Sequence, residues 1–471
     1  MNEQDYLKQA ATRGLAYLDK VNETKPYPLL DANGLRALFD TGLPQKGRAG
    51  QDVLTQLADA AEAGLVGLTG NAFYGWVMGS SHTVGVAADW LTSVWGQNSA
   101  IYQTAPSAAI AEETAGKWLI DLLGLPEHSS IGFTTGATMA GFTCLAAARS
   151  QVLHKAGWDI EAQGQFGAPE INVYVSTEAH STVFVALRYL GFGHKRLIMV
   201  DADSEGRMVT TDLAKKLSGQ TGQSIIIAQA GHINTGAFDD FSAISALAAK
   251  HDAWMHIDGA FGLWAKASSE YAGLCEGAEN ADSWSVDGHK WLQVPYDSGF
   301  AIVKHPQAHA RAMAISAGYL IHSSNDGRIP TNYVPELSRR ARGFAVWAVL
   351  QTMGRDGIAA IVEGNCSNAA RLAARLSAID GIRILNQISL NQIAVVFEDK
   401  DPEIRSRTQE VVKALQDDGR WYVQEAVWRG ETILRLSFSS ATKPDAQVDI
   451  FADAIVACWE SVRDRPAKKQ Q

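Results

Sequence analysis

Short apolar runs alternate with amphipathic segments through the middle of this chain, from about residue 171 to residue 303. The runs have the length of buried strands, and segments between them, such as residues 241–250, have the apolar spacing of helices. Strands that are joined by helices pair in parallel and are covered by helices on both faces. The alternation therefore predicts an α/β fold with a large, mostly parallel sheet. The predicted strands are residues 171–176, 196–200, 224–229, 253–257 and 299–303.

The two ends of the chain have different patterns. Residues 1–100 predict a helical segment, and the C-terminal region predicts a mixture of strands and helices. We therefore expect an N-terminal helical segment over residues 1–100, a large domain over 101–364 and a smaller C-terminal α+β domain over 365–471. The predicted C-terminal elements are strands at 392–397 and 432–438 and helices at 408–417 and 448–463.

Charge and cysteine usage narrow the class of protein. The formal net charge is −10 without long runs of like charge, which argues against nucleic acid or an anionic membrane as the main partner. No apolar run approaches the length of a membrane span, and the acidic N-terminus lacks the pattern of a signal peptide. The four cysteines are widely spaced, which favours buried thiols in a reducing compartment. These features predict a cytoplasmic enzyme.

Two polar clusters follow apolar runs and carry the strongest chemical signal. One is residues 256–260, with Asp258, and the other is residues 287–291, with Lys290. A carboxylate and a lysine at the ends of neighbouring strands suit pyridoxal 5'-phosphate, because the lysine forms the Schiff base and the carboxylate keeps the pyridine nitrogen protonated. Asp258 as a helix cap and Lys290 as a solvated lysine are the structural alternatives, but lysine is seldom placed in an apolar stretch. A metal site at His251, His256 and Asp258 lacks a recognised ligand spacing, so we predict no metal.

Three further clusters lie at predicted strand ends or turns, where open α/β sheets bind ligands. Residues 132–141 are small and hydroxylated and open a helix, which suits a phosphate, although a plain helix start has the same composition. His180 follows a predicted strand, where it either lies over an aromatic cofactor or caps a helix. Residues 231–237 form a tight loop that can be purely structural.

In this order, these residues resemble the group II pyridoxal phosphate-dependent decarboxylases, which include the aromatic amino acid, glutamate, tyrosine and diaminobutyrate decarboxylases. The resemblance runs from about residue 73 to 440 and implies the fold type I (aspartate aminotransferase-like) architecture and a homodimer formed through the N-terminal segment. It implies that Lys290 carries the Schiff base, that Asp258 pairs with the pyridinium nitrogen, and that His180 and Ala260 lie on opposite faces of the ring. The implied phosphate ligands are Gly136, Ala137, Thr138 and His289.

The resemblance also implies residues that meet the substrate. Arg435 matches an arginine of the small domain near the active site, and Phe73 and Tyr74 are candidates for an apolar substrate pocket, as are Trp76 and Phe261. Aromatic residues are equally common as plain core. The tyrosine that protonates the carbanion in the aromatic enzymes corresponds to Tyr333, with Tyr319 as a second candidate. Tyr102 and Gln103 match a segment that reaches the neighbouring subunit's site.

The chain departs from the family pattern at several positions. Asp287 and Gly288 replace the usual Asn-Pro before the His-Lys pair, and Met139 replaces a glutamate. Residues 231–233, Gly-His-Ile, replace a Gly-Thr-Thr loop. These changes affect the residues that decide which bond breaks.

The sequence therefore predicts an enzyme that decarboxylates an L-amino acid to the amine and carbon dioxide. An aldolase-like carbon–carbon lyase and an aminotransferase are the alternatives with the same cofactor. A catalytically silent member of the family that acts as a partner or scaffold is the alternative from a different class.

Overall fold

A seven-stranded sheet forms the centre of the computed structural model, which describes residues 4–315, 327–398 and 406–463. Its order is β1-β7-β6-β5-β4-β2-β3. The five neighbouring strands β6, β5, β4, β2 and β3 are parallel, whereas β7 runs antiparallel to both of its neighbours. The predicted mostly parallel α/β sheet is confirmed. The strands are β1 (Ser130–Thr134), β2 (Ile171–Ser176), β3 (Ile198–Val200), β4 (Gln223–Gln229), β5 (Trp254–Asp258), β6 (Ser283–Asp287) and β7 (Gly299–Val303).

Helices cover both faces of this sheet. One face carries α6, which is flanked by α8 and α11, and the other face packs against α5, α10 and the first part of α12. The helices of the described residues are α1 (Gln4–Lys20), α2 (Ala32–Phe39), α3 (Gly50–Glu62), α4 (Thr83–Trp95), α5 (Pro106–Leu122), α6 (Ala137–Lys155), α7 (Ile160–Gln163), α8 (Ser181–Tyr189), α9 (Thr210–Ser218), α10 (Phe241–Lys250), α11 (Pro306–Met313), α12 (Gly343–Ser377), α13 (Thr408–Asp418) and α14 (Asp445–Arg463). Short 3₁₀ turns lie at His194–Arg196, Gly262–Ala267, Ala272–Cys275, Ala278–Asn280 and Pro330–Tyr333.

A second, four-stranded antiparallel sheet lies near the C-terminus, in the order β10-β11-β9-β8. It packs against α13, α14 and the end of α12 around a separate apolar core. The predicted strands and helices of this region are confirmed to within three residues at each end. The strands are β8 (Ile382–Ile384), β9 (Gln392–Phe397), β10 (Gln424–Trp428) and β11 (Glu431–Ser437).

The N-terminal region is helical, as the sequence predicts. Helices α1 and α2 bury none of their side chains, and α4 exposes Trp90, Leu91, Val94 and Trp95 although its partner α12 lies along its other side. None of the helices in the described ranges is both long enough and apolar enough to span a bilayer.

Candidate active site

The loops that follow β2, β4, β5 and β6 meet at the carboxyl edge of the large sheet and enclose a small cavity. The cavity brings together four residues that the sequence analysis assigned to the cofactor, namely His180, Asp258, Ala260 and Lys290. Because β4, β5 and β6 are parallel neighbours, the residues that end them lie side by side. The other lining residues are Gln229, Ala230, Gly231, Ile233 and Phe261.

Lys290 lies just beyond β6, and a carboxylate of the same turn holds its amine. Its Nζ is 2.8 Å from Oδ2 of Asp287, the last residue of β6, and 5.8 Å from the centre of the Phe261 ring. Only 16% of the lysine side chain is exposed and 5% of the aspartate side chain. The amine therefore lies at the cavity in an ion pair with a buried carboxylate.

Asp258 ends β5 and is buried beneath the cavity. Burial raises the pKa of Asp258, whereas the nearby His180 and Lys290 and a hydrogen bond from the amide of Ala260, at 3.2 Å, favour the ionised form. The ionised form of a carboxylate in such an environment is stabilised most by a cationic group placed directly against it. Asp258 can therefore hold a protonated ring nitrogen.

His180 caps α8, as one interpretation of the sequence predicts, and it also lines the cavity. Its Nδ1 is 2.7 Å from Oγ1 of Thr182 in the first turn of α8, and its backbone amide donates to Oε1 of Gln229 at 3.1 Å. Burial lowers the pKa of His180, and the charges of Lys290 and Arg435 lower it further although Asp258 opposes them. The imidazole is therefore a neutral hydrogen-bonding group at neutral pH.

The predicted phosphate loop lies at the N-terminus of α6. The first turn of a helix has amides without intrahelical partners, and here Ala137 donates its amide to Oδ1 of Asp287 at 2.6 Å. Nε2 of His289 is 3.3 Å from the same oxygen. The absence of a side chain at Gly136 leaves space next to the ring of His289, because a Cβ at this position would lie 2.9 Å from Cε1 of His289. The small residues and the helix dipole suit an anionic group such as a phosphate, which would take the amide that the carboxylate of Asp287 occupies here.

Arg435 of β11 reaches this region from the C-terminal sheet. Its Nη1 donates to Oδ1 of Asn234 at 3.4 Å, and its guanidinium lies 5.9 Å from the centre of the Trp76 ring. Burial lowers the pKa of Arg435. Within the described parts of the chain, no carboxylate forms an ion pair with it.

Three other predicted site residues lie away from the cavity lining. Phe73 stacks on Tyr422 with ring centres 4.6 Å apart, and Tyr74 stacks on Phe451 at 3.9 Å in the core of the C-terminal sheet. Tyr333 lies behind β1, where its ring packs under the guanidinium of Arg328 at 4.5 Å. The second candidate tyrosine, Tyr319, lies outside the described residues.

Two residues of the site were missed by sequence reasoning. Gln229 was taken only as the end of a strand, yet it lines the cavity and holds the backbone of His180. The rule that selected Asp258, a polar residue at the end of a buried strand, would have selected Gln229 too. Asp287 was noted as a departure from the family, but its contacts with Lys290 and the α6 amide require the folded turn.

Comparisons with known proteins show the family of this chain. The model of the pyridoxal-dependent decarboxylase conserved domain matches residues 33–400. The chain is 28% identical over 370 residues to the aromatic-L-amino-acid decarboxylase of Bacillus atrophaeus, which covers 75% of each chain.

Solved structures share the fold. The crystal structure of Oryza sativa TDC with PLP and tryptamine superposes with a TM-score of 0.91 at 20% identity and covers 98% of this chain and 99% of that one. The 4-hydroxyphenylacetaldehyde synthase of Rhodiola rosea has a TM-score of 0.88 at 20% identity and covers 98% and 100%. Because the family model covers most of the chain, the chain belongs to the pyridoxal-dependent decarboxylase family and is a carboxy-lyase that uses pyridoxal phosphate.

Proposed function

We propose that this enzyme decarboxylates an L-amino acid to the amine and carbon dioxide, with Lys290 as the amine that bonds the cofactor. The convergence of Lys290, Asp258 and His180 on one cavity carries the proposal. The cofactor, when bound, supplies an electron sink for the carbanion that forms as carbon dioxide leaves. The residues around the cavity provide binding, orientation and control of protons.

Asp258 and the α6 loop would hold the two ends of the cofactor. The buried carboxylate of Asp258 would keep the proton on the ring nitrogen, because that positive charge offsets the cost of burying an ionised carboxylate. Gly136, Ala137, Thr138 and His289 are the residues that we assign to the phosphate. His180 and Ala260 are the residues that we assign to the two faces of the ring.

Arg435 is the residue that we assign to a carboxylate of the substrate. A guanidinium that is largely buried without a carboxylate partner in the described chain is favourable only when an anion binds beside it. Phe261 lines the cavity and Trp76 lies next to Arg435, so an aromatic or aliphatic side chain would meet apolar surface. This geometry supports Phe261 and Trp76 as substrate contacts better than Phe73 and Tyr74, which pack against other residues.

His180 is the residue that we favour over Tyr333 to assist the return of a proton to the substrate carbon. It lines the cavity, and Gln229 fixes its backbone. Tyr333 stays a prediction, because its ring packs against Arg328 and His309 of the same chain.

The reaction can be tested by incubating the PLP-loaded enzyme with a panel of L-amino acids, beginning with aromatic ones. Equal amounts of carbon dioxide and amine are expected for at least one substrate. An aldehyde with glycine would instead identify aldol cleavage, and a keto acid without carbon dioxide would identify transamination. Either result would overturn decarboxylation as the main reaction.

The attachment point has a test of its own. Borohydride reduction followed by peptide mass mapping should find the cofactor on Lys290, and Lys290→Ala should lose both this label and about 10³-fold or more in rate. Lys215→Ala, which changes an exposed lysine of α9, should alter neither. A label on another lysine would contradict the assignment.

We also propose that the enzyme is a homodimer in the cytoplasm. The exposed apolar side chains of α1 and α4 support a dimer, because a face of this kind is favourable when a second copy covers it. All four cysteines are free and three of them are buried, which supports a reducing compartment.

A further inference from the structure

The turn between β10 and β11 has a backbone that few side chains adopt. Trp428 pairs with Glu431, so the loop consists of Arg429 and Gly430 alone, with φ angles of 51° and 79°. Two residues with positive φ define a type I′ hairpin turn, in which asparagine, aspartate or glycine is usual at the first position. An arginine there indicates that contacts outside the hairpin favour this residue.

Those contacts are made to Glu178, in the loop that follows β2. Nε of Arg429 donates to Oε1 of Glu178 at 2.6 Å, and Nε1 of Trp428 donates to Oε2 at 2.8 Å. Nε2 of His232 lies 3.2 Å from the same Oε2. Arg429 also donates through Nη2 to the backbone carbonyl of Asp203. We call Glu178, His232, Trp428 and Arg429 the Glu178 cluster.

The cluster holds its carboxylate firmly in the ionised state. Burial opposes ionisation, yet the hydrogen bonds from His232, Trp428 and Arg429 lower the pKa of Glu178 to about 2. The side chains of His232, Glu178 and Arg429 are 3%, 18% and 38% exposed, so solvent screens the contact between His232 and Glu178 less than the contact between Arg429 and Glu178. The carboxylate therefore stays charged and bonded throughout the pH range of an ordinary enzyme assay.

Both loops that the cluster joins form part of the cavity wall. Glu178 lies two residues before His180, and His232 lies between Gly231 and Ile233, which line the cavity. The hairpin of the C-terminal sheet thus contacts the loop that carries His180 and the loop that faces it. It does so without entering the cavity itself.

We propose that Arg429 and Glu178 are positioning residues, which fix His180 against the bound cofactor through the loop after β2. The inference rests on the proposed function, since it takes His180 to act at the cofactor. It extends that function by giving the C-terminal hairpin a part in catalysis. Loss of the ion pair should loosen the loop and lower kcat with little change in KM, because the substrate contacts remain.

Amide exchange of the purified enzyme tests the structural half of the inference. In Arg429→Met and in Glu178→Gln, amides of residues 177–183 should exchange about 10-fold faster or more, while those of α12 keep their rate. Arg371→Met is the matched control, since it removes a similarly exposed arginine whose Nη2 is 2.6 Å from Oδ2 of Asp449, in an ion pair that joins α12 to α14. Unchanged exchange in Arg429→Met, or the same increase at residues 177–183 in Arg371→Met, would overturn the inference.

Kinetics and spectroscopy of the PLP-loaded enzyme test the catalytic half. Arg429→Met should lower kcat about 10-fold with KM within about twofold and change the visible circular dichroism of the cofactor, and Arg429→Lys should restore part of both. A wild-type enzyme that releases no carbon dioxide would overturn the proposed function, whereas the exchange result would still decide whether the cluster fixes the loop. Active wild type with an unaltered Arg429→Met kcat would overturn the positioning role alone.

Discussion

At the scale of single residues, Lys443 affects the stability of this protein, because its amine is buried without a charged partner among the described residues. Its Nζ is 3.2 Å from Oγ of Ser440 and 4.8 Å from the centre of the Tyr74 ring, and the residue is 2% exposed. Burial lowers the pKa of Lys443 from 10.5 to about 7. The folded chain therefore binds this proton much less readily than the unfolded chain does.

The pH dependence of stability follows from that difference. Above pH 10.5 the amine is neutral in both states and carries no penalty; as pH falls towards 7 only the unfolded chain takes up the proton, so the free energy of unfolding decreases. Lys443→Met should remove this loss and raise the free energy of unfolding at pH 7 by about 3 kcal/mol. Urea denaturation at pH 7 and pH 10 measures the free energy of unfolding of the wild type and of Lys443→Met, with Lys215→Met as the exposed control. A variant no more stable than the wild type at pH 7 would contradict the prediction.

For single residues, the sequence predicted a role where that role depends on the position of the residue in a strand. Asp258 was predictable because it ends an apolar run, and parallel pairing brings such residues to one edge. The pair formed by Lys290 and Asp287 was not predictable, because it depends on the path of the turn after β6. Likewise, Tyr74 is an aromatic residue of the kind that lines apolar pockets, and only its stacking on Phe451 shows that it belongs to a core.

At the scale of elements, a buried ion pair joins α5 to the large sheet. Nη1 of Arg339 is 2.6 Å from Oε2 of Glu112, both side chains are fully buried, and Nη2 of Arg339 donates to the carbonyl of Phe133 in β1 at 2.7 Å. Glu112→Gln would leave a buried guanidinium without its counter-charge and should lower the free energy of unfolding by about 3–5 kcal/mol.

The neighbouring residue offers a matched control for this prediction. Glu113 pairs with Lys117 on the same helix at 2.6 Å, but that lysine is 72% exposed, so Glu113→Gln should cost less than about 1 kcal/mol. Denaturant unfolding of both variants gives the comparison. Equal losses in the two variants would show that burial of the pair does not matter.

Elements with strong apolar periodicity were predictable, and irregular ones were not. Strands β2, β4, β5 and β7 agree with the predicted ranges to within one residue, whereas β3 begins two residues late because His194–Arg196 form a 3₁₀ turn. Strand β1 was missed since it is short and contains Gly132. That glycine is needed because the carbonyl of Tyr333 occupies the position that a Cβ would take.

At the scale of the whole molecule, the proposed homodimer can be tested by mass in solution. Sedimentation equilibrium should give twice the 50.7 kDa of one chain. The double change Trp90→Asp and Val94→Asp should shift the equilibrium to the monomer, because it places two charges on the apolar face of α4, where these residues are 46% and 61% exposed. Ile450→Asp, on the exposed face of α14, should leave the dimer intact. A wild-type monomer at micromolar concentration would contradict the proposal.

Tyr74 also has a consequence for how this protein is made. Its partners in the core, Phe438 and Phe451, are synthesised several hundred residues later, and the backbone amide of Ser437 donates to its carbonyl at 3.0 Å. At about 5–20 residues per second, the ribosome delivers those partners roughly 20 to 75 seconds after Tyr74 has emerged. The segment around Tyr74 must wait in an incomplete core for that time, so chaperones can bind the nascent chain there.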